Sequence, residues 1–292
     1  MTKPSKCISL VIVAGVYIAA FFSGLVVYGL AMRFFDPLAA FFAADAAATA
    51  VVFIFGLIFS NASVYDPYWS VAALVLVAAF AVFANSFRVI SVFYIIAFAF
   101  WGIRLTVNWA INWTDLSTQD WRYTMLKRKN PRLWLVTDFF GINLMPTAIV
   151  FAGLIPAYFA ICAGGEANAV SAAGLAVALS AAVVQLISDA QMLRFRRDAA
   201  NRGKAIQSGL WRYSRHPNYF GEVSFWWGVW MMQAGALPHI WWTVFAPLIM
   251  TSLFVFISIP MMEKKLLETK ECYGEYKKAT SMLIPLPRRR VS

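Results

Sequence analysis

Long apolar runs broken at short polar intervals organise this chain. The pattern predicts spans at residues 8–32, 46–60, 68–87, 89–110, 139–163, 169–188, 220–237 and 241–260. Several reach the roughly 18–20 residues that cross a hydrocarbon core. The second and seventh are shorter, which fits tilting, re-entry or burial by neighbours. The first is too long for the apolar part of a signal peptide and reads as a membrane helix. The expected fold is all-α, a polytopic membrane bundle of about eight helices.

Charge placement supports that count. With the N-terminus in the cytoplasm, all of the 25 Lys and Arg except Arg33 and Arg88 fall in cytoplasmic segments or adjoining helix ends, Lys3 and Arg290 included. A missed span would scramble this asymmetry, so both termini are expected on the cytoplasmic side. The net charge of +11 is then a signal of orientation and of attraction to anionic lipid, and no nucleic-acid partner is expected. With 61% hydrophobic and 13% charged residues, the chain is too apolar for an ordinary soluble domain. Cys7, Cys162 and Cys272 are odd in number and scattered, which excludes a disulfide frame. His216 and His239 are the only histidines, too few for a histidine-rich metal centre, and no metal is expected. No GxGxxG, GxxxxGK[ST], HExxH or CxxC pair is present.

Polar information concentrates in residues 61–70, 111–138 and 189–219. Within the last lies RHPNYFGE, Arg215 to Glu222. Pro217 fits the first position of a helix, where its missing N–H costs nothing, with His216 as the flanking residue. The free N–H groups of Asn218, Tyr219 and Phe220 would attract an anion. Asn218 and Glu222, four apart, share a face, and Glu222 must be paired or accept hydrogen bonds from a carboxamide, an amine or a hydroxyl. In QLISDAQMLRFRRD, Gln185, Asp189 and Arg196 follow a helical stripe. Asp189 suits a ribose hydroxyl or an amide, and Arg194, Arg196 and Arg197 suit phosphate; the same arginines also read as an ordinary positive-inside flank. On the fourth span Trp101, Arg104, Asn108 and Asn112 recur at three- and four-residue steps, a stripe that lipid cannot satisfy. In SVYDPYWS, residues 63–70, a turn at Pro67 would gather Tyr65, Asp66, Tyr68 and Trp69 at the membrane surface. An aromatic belt explains Tyr65 and Trp69 but not Asp66. The tail from 261 predicts an amphipathic surface helix, which Pro285 and Pro287 end. Under this topology the four constellations lie on one side of the membrane. They point to a phosphate-bearing ligand from the cytosol and a lipophilic substrate from the bilayer.

The segment GLWRYSRHPNYFGE, with Trp226-Trp227-Gly228 after it, resembles the membrane steroid 5α-reductase-like family, in particular its bacterial branch. SVYDPYWS, WGIRLTVNW, QDWRY and the Asp189–Gln191 pair also look like that branch, and the resemblance covers roughly residues 50–286. It implies a seven-helix reductase core over residues 46–292 with a cytoplasmic cofactor site. Residues 1–45 would be an additional N-terminal transmembrane helix and outer loop. It also implies a bacterial inner-membrane location and NADPH-dependent reduction of an activated carbon–carbon double bond. Carried over by position, Asn218 and Glu222 would hold the nicotinamide carboxamide, with Tyr219 beside them. Asp189, Arg194 and Arg196 would meet the ribose and phosphate region, Arg104 matches an arginine of the corresponding helix, and Arg215 and His216 would lie near phosphate. Trp69, Trp101 and Asn108 would contact substrate.

One departure stands out. The steroid enzymes grip the substrate carbonyl with a glutamate–tyrosine pair. Here Trp101 stands where the tyrosine would be, and Asp66 is the nearest counterpart of the glutamate. Trp101 cannot protonate an enolate, so Tyr68, Tyr65 or Tyr94 takes that role or the substrate is not a 3-oxosteroid; Asp66 and Tyr68 are the catalytic candidates. Isoprenylcysteine carboxyl methyltransferases carry a related RHPxYxG element, so S-adenosylmethionine-dependent methyl transfer is the alternative. That cofactor has no pyrophosphate and would need fewer arginines. A non-enzymatic scaffold or transporter is a third reading; it predicts binding without turnover and polar residues on both faces.

Overall fold

The structure is a computed structural model that describes residues 5–85 and 87–289; Lys3 and Arg290 lie outside them. Among the described residues there is no strand, only an isolated bridge between Ser214 and Ser281. The helices are α1 (Lys6–Ala31), α2 (Pro37–Ile58), α3 (Tyr68–Phe83), α4 (Val89–Asn112), α5 (Trp121–Lys129) and α6 (Trp134–Val136). They continue with α7 (Met145–Cys162), α8 (Ala169–Arg197), α9 (Pro217–Ala236), α10 (Phe245–Ser252), α11 (Ile259–Thr269) and α12 (Tyr273–Ala279). Among the described residues, seven helical segments are long and apolar enough to cross a membrane, the fifth running from Pro131 to Cys162 and the last from Pro238 to Thr269. The fold is a polytopic membrane helix bundle. Every predicted span overlaps a helix, and α9, which overlaps the seventh of them, is the one outside that set of seven.

Two boundaries differ from expectation. The second span is a full helix from Pro37, so residues 37–45 are its first turns and not an outer loop. Asp36 caps it by accepting from the Ala39 N–H at 3.1 Å, Pro37 fills the first position, and the alanine run that follows favours helix. The segment Ala62–Tyr65 is a buried 3₁₀ turn and not a surface loop. Asn61 secures it by donating from Nδ2 to the carbonyl of Leu116 at 2.7 Å.

α1 shows why such helices need lipid. Its buried residues, Ser9, Val13, Val16, Ala20, Gly24 and Ala31, form one narrow stripe at helical spacing. Ile8, Val11, Ile18 and Phe22 stand exposed on the remainder. A helix apolar all round with a single packed stripe suits a hydrocarbon surround.

The chain divides into two compact units. One comprises residues 1–85 and 101–158, the other 86–100 and 159–292. Within the second, the contact of α8 with α9 is set by glycines. A Cβ on Gly221 would meet the Ala181 carbonyl at 2.7 Å, one on Gly228 the Ala178 nitrogen at 2.7 Å, and one on Gly235 the Ser171 nitrogen at 2.6 Å. Glycines seven residues apart keep one face of α9 bare, and backbones approach where lipid gives no hydrophobic drive. The pairing is antiparallel and fixes register: Gly235 meets Ser171, Gly228 meets Ala178, and Gly221 meets Gln185. Continued by one turn, that register sets Asn218 opposite Ser188, beside Asp189.

Candidate functional site

In the second unit, the helix start predicted at RHPNYFGE is present: His216 is the cap and Pro217 the first residue of α9. Glu222 is buried and accepts from Trp226 Nε1 at 3.0 Å. Asn218 is half-buried, with no side-chain hydrogen bond to any described residue. Tyr219 stacks on the His216 ring with centroids 5.3 Å apart and planes 8° from parallel. At the end of α8, Asp189 is half-buried while Arg194 and Arg196 are exposed. The chain then folds back along this end. Trp211 Nε1 donates to the Ser188 carbonyl at 3.1 Å, and the Leu210 N–H donates to Gln191 Oε1 at 2.9 Å.

Arg215 and His216 are differently engaged from the phosphate role expected of them. Arg215 Nε donates to Glu263 Oε1 at 2.7 Å, and its Nη1 donates to the carbonyls of Lys277 and Thr280 at 2.8 and 2.5 Å. His216 Nε2 lies 3.3 Å from the same Glu263 oxygen, and Lys277 Nζ lies 2.8 Å from the other. Burial pushes the His216 pKa below its ordinary value; Arg215 and Lys277 push the same way and Glu263 opposes them. The tail is thereby a strap. Backbone bonds run from the Arg215 N–H to Ser281 at 2.9 Å and from the Leu286 N–H to Tyr213 at 3.0 Å, and Ser214 Oγ donates to Leu283 at 2.7 Å. Tyr276, expected on a surface helix, is buried and donates to the carbonyls of Trp211 and Ser214.

The first unit gathers the other candidates. Asp66 is half-buried and accepts from Tyr123 Oη at 2.6 Å. Tyr123 follows Arg122, whose guanidinium pairs with the α5 cap Asp120 at 2.8 Å. Tyr68 Oη donates to Asp45 Oδ1 at 2.8 Å. Trp69 meets Trp101 edge-on, centroids 5.4 Å apart, and Trp101 is fully buried. A Cβ on Gly102 would lie 2.8 Å from the Ser70 carbonyl, so α3 and α4 touch at this level. Arg104 is 8% exposed, and Asn108 Oδ1 accepts from Asn112 Nδ2 at 3.0 Å.

These contacts sort the three tyrosines. Tyr65 shares a hydrogen bond with Thr147 at 2.8 Å, and Tyr94 donates to the Val229 carbonyl at 3.0 Å. Tyr68 alone of the three donates to a carboxylate, that of Asp45, and both side chains line a cavity. Sequence reasoning did not assign Asp45, Tyr123 or Glu263 a role. The signal for Asp45 is its place as a lone carboxylate in an alanine-rich span, where an ionisable group is costly and marks a site.

Helices of this number and apolarity, with carboxylates, arginines and amides at their ends, define a polytopic membrane protein. The family described as "Protein of unknown function (DUF1295)" matches residues 52–280, and the chain belongs to it. It is a family related to steroid 5α-reductase-like proteins. The uncharacterized protein C594.04c of Schizosaccharomyces pombe is 24% identical over 208 residues, covering 63% of this chain and 60% of that protein. The match thus spans less than two thirds of the relative's length. No solved structure matches the chain.

Proposed function

We propose that this protein is a membrane-embedded, NADPH-dependent reductase of an activated carbon–carbon double bond in a lipophilic substrate. The carrying observation is the start of α9. Asn218, an amide with no side-chain hydrogen bond to any described residue, stands one turn before the buried carboxylate of Glu222, in register with the Asp189 end of α8. A carboxamide offers a donor and an acceptor to such a pair. Arg194 and Arg196 are exposed and make no ion pair with any described residue, which leaves them available for phosphate. Arg215 and His216 fit a positioning role better, because Glu263 and the tail already occupy them. The cofactor would supply hydride. Asn218 and Glu222 would hold its carboxamide, Asp189 its ribose, and Arg194 and Arg196 its phosphates. In the first unit the Tyr68 phenol, whose proton Asp45 accepts at 2.8 Å, would turn to the substrate carbonyl as the proton donor, with Asp66 as the second catalytic candidate and Trp69, Trp101 and Asn108 as the surrounding wall. The substrate enters from the bilayer and the cofactor from the cytoplasm.

NADPH should raise the melting temperature of the detergent-purified protein, and Asn218→Ala or Glu222→Gln should abolish the shift. A shift with S-adenosylmethionine and none with NADPH would replace this reading with methyl transfer. Arg196→Ala should weaken NADPH more than NADH; equal losses would remove Arg196 from the 2′-phosphate.

A further inference from the structure

Between α1, α2 and α3 lies a cavity of about 540 Å³. It falls within the roughly 300–1,000 Å³ of small-molecule sites. Its wall is apolar apart from Asp45 and the tyrosines 17, 28 and 68. Its rim includes Phe21, Leu25, Val82 and Phe83, all exposed where the bundle meets hydrocarbon. An occupant therefore arrives from the membrane and is largely apolar.

The polar part of the wall narrows the choice. Asp45 is 5% exposed. Its Oδ1 accepts from Tyr68, while among the described residues no side chain donates to its Oδ2 and no lysine or arginine pairs with it. An ionised carboxyl group has acceptor sites on both oxygens, and a protonated one offers an O–H donor at one of them. Leaving one unmet in an apolar surround is costly. Tyr17 cannot meet it, because its phenol donates to the Val64 carbonyl at 2.6 Å. The open position calls for a hydroxyl, which donates to an ionised carboxyl or accepts from a protonated one and which a bilayer molecule carries into the cavity without a charge.

We propose that this cavity is a binding site for a membrane-resident alcohol, a molecule with a long or fused apolar body and one hydroxyl that hydrogen-bonds to Asp45. The site requires binding alone and stands apart from the reductase reading, although Tyr68 belongs to both.

The test uses the full chain in lipid nanodiscs and two photoactivatable probes: a diazirine-bearing long-chain primary alcohol and the diazirine hydrocarbon of equal length. Cross-linked peptides are mapped by mass spectrometry. The alcohol should label the segments around Tyr17 and Leu76 about tenfold more than the hydrocarbon, the worth of one such hydrogen bond. Asp45→Leu should remove that excess, and Asp45→Asn, which keeps an acceptor oxygen, should retain part of it. Equal labelling by both probes, or an excess unchanged in Asp45→Leu, overturns the proposal. Should Asp45→Leu melt too low to measure, Ala72→Phe fills the cavity with the Asp45–Tyr68 pair intact and should suppress labelling by both probes. Undiminished alcohol labelling in that variant overturns it equally.

Discussion

At the scale of single residues, Glu263 holds three basic groups at once, and removing its charge strands them. Arg215 is 8% exposed and its partner 6%, so the pair is buried. Breaking such a pair from one side costs about 3–5 kcal/mol, because the remaining charge is left uncompensated. Glu263→Gln should lower stability by up to that amount in a denaturant titration. Lys277→Ala should cost less than about 1 kcal/mol, since that lysine's side chain is 42% exposed and screened. Comparable losses in the two variants would show that Glu263 acts through Lys277 and not through Arg215.

His216 adds a pH dependence to the same cluster. Its pKa in the folded chain lies below that of the unfolded chain, chiefly through burial. As pH falls below about 6.5 the unfolded chain takes up a proton first. Stability should therefore decline from that point down through the folded-state pKa and be level above it. His216→Gln should flatten the slope in melting curves recorded across this range. The motif's presence was plain in the sequence. Its engagement with the tail was not, because Glu263 lies 47 residues beyond His216 and nothing local predicts that partner.

At the scale of helices, the spans and the start of α9 were legible because they depend on near neighbours, whereas the start of α2 at Pro37 and the Asn168 cap of α8 were not read although their signals are local. Pro217 at the start of α9, Pro37 at the start of α2 and the Asn168–Ser171 capping box of α8 are each local devices. The packing of α8 on α9 is a different matter. The seven-residue spacing of Gly221, Gly228 and Gly235 is visible in the chain, yet what each faces is decided by α8. Gly228→Val should destabilise by about 1–3 kcal/mol through overpacking, as read by the thermal melt in detergent. Gly29→Ala on α1 is the control, since its Cβ would meet nothing within 4 Å. Alanine there should be neutral or stabilise by up to about 1 kcal/mol. A similar loss at both positions would contradict the glycine-set contact.

At the scale of the whole molecule, orientation has a native probe. Cys272 is exposed at the start of α12. With the tail in the cytoplasm, a membrane-impermeant maleimide should leave Cys272 unmodified in intact cells and modify it in inverted vesicles. Modification in intact cells would reverse the topology that the lysines and arginines indicate.

What the sequence determined by itself was the class of molecule, the helical spans and the motif at the start of α9. Apolar run length, charge asymmetry and proline position are properties of neighbouring residues and of the bilayer as solvent. The tertiary structure decided which polar groups meet. It buried Tyr65 and Tyr68, gave Tyr68 to Asp45 and Tyr123 to Asp66, and closed the tail over Arg215 and His216. Those pairings join residues far apart in the chain. A buried polar group takes whichever partner the packing of helices brings within hydrogen-bond reach.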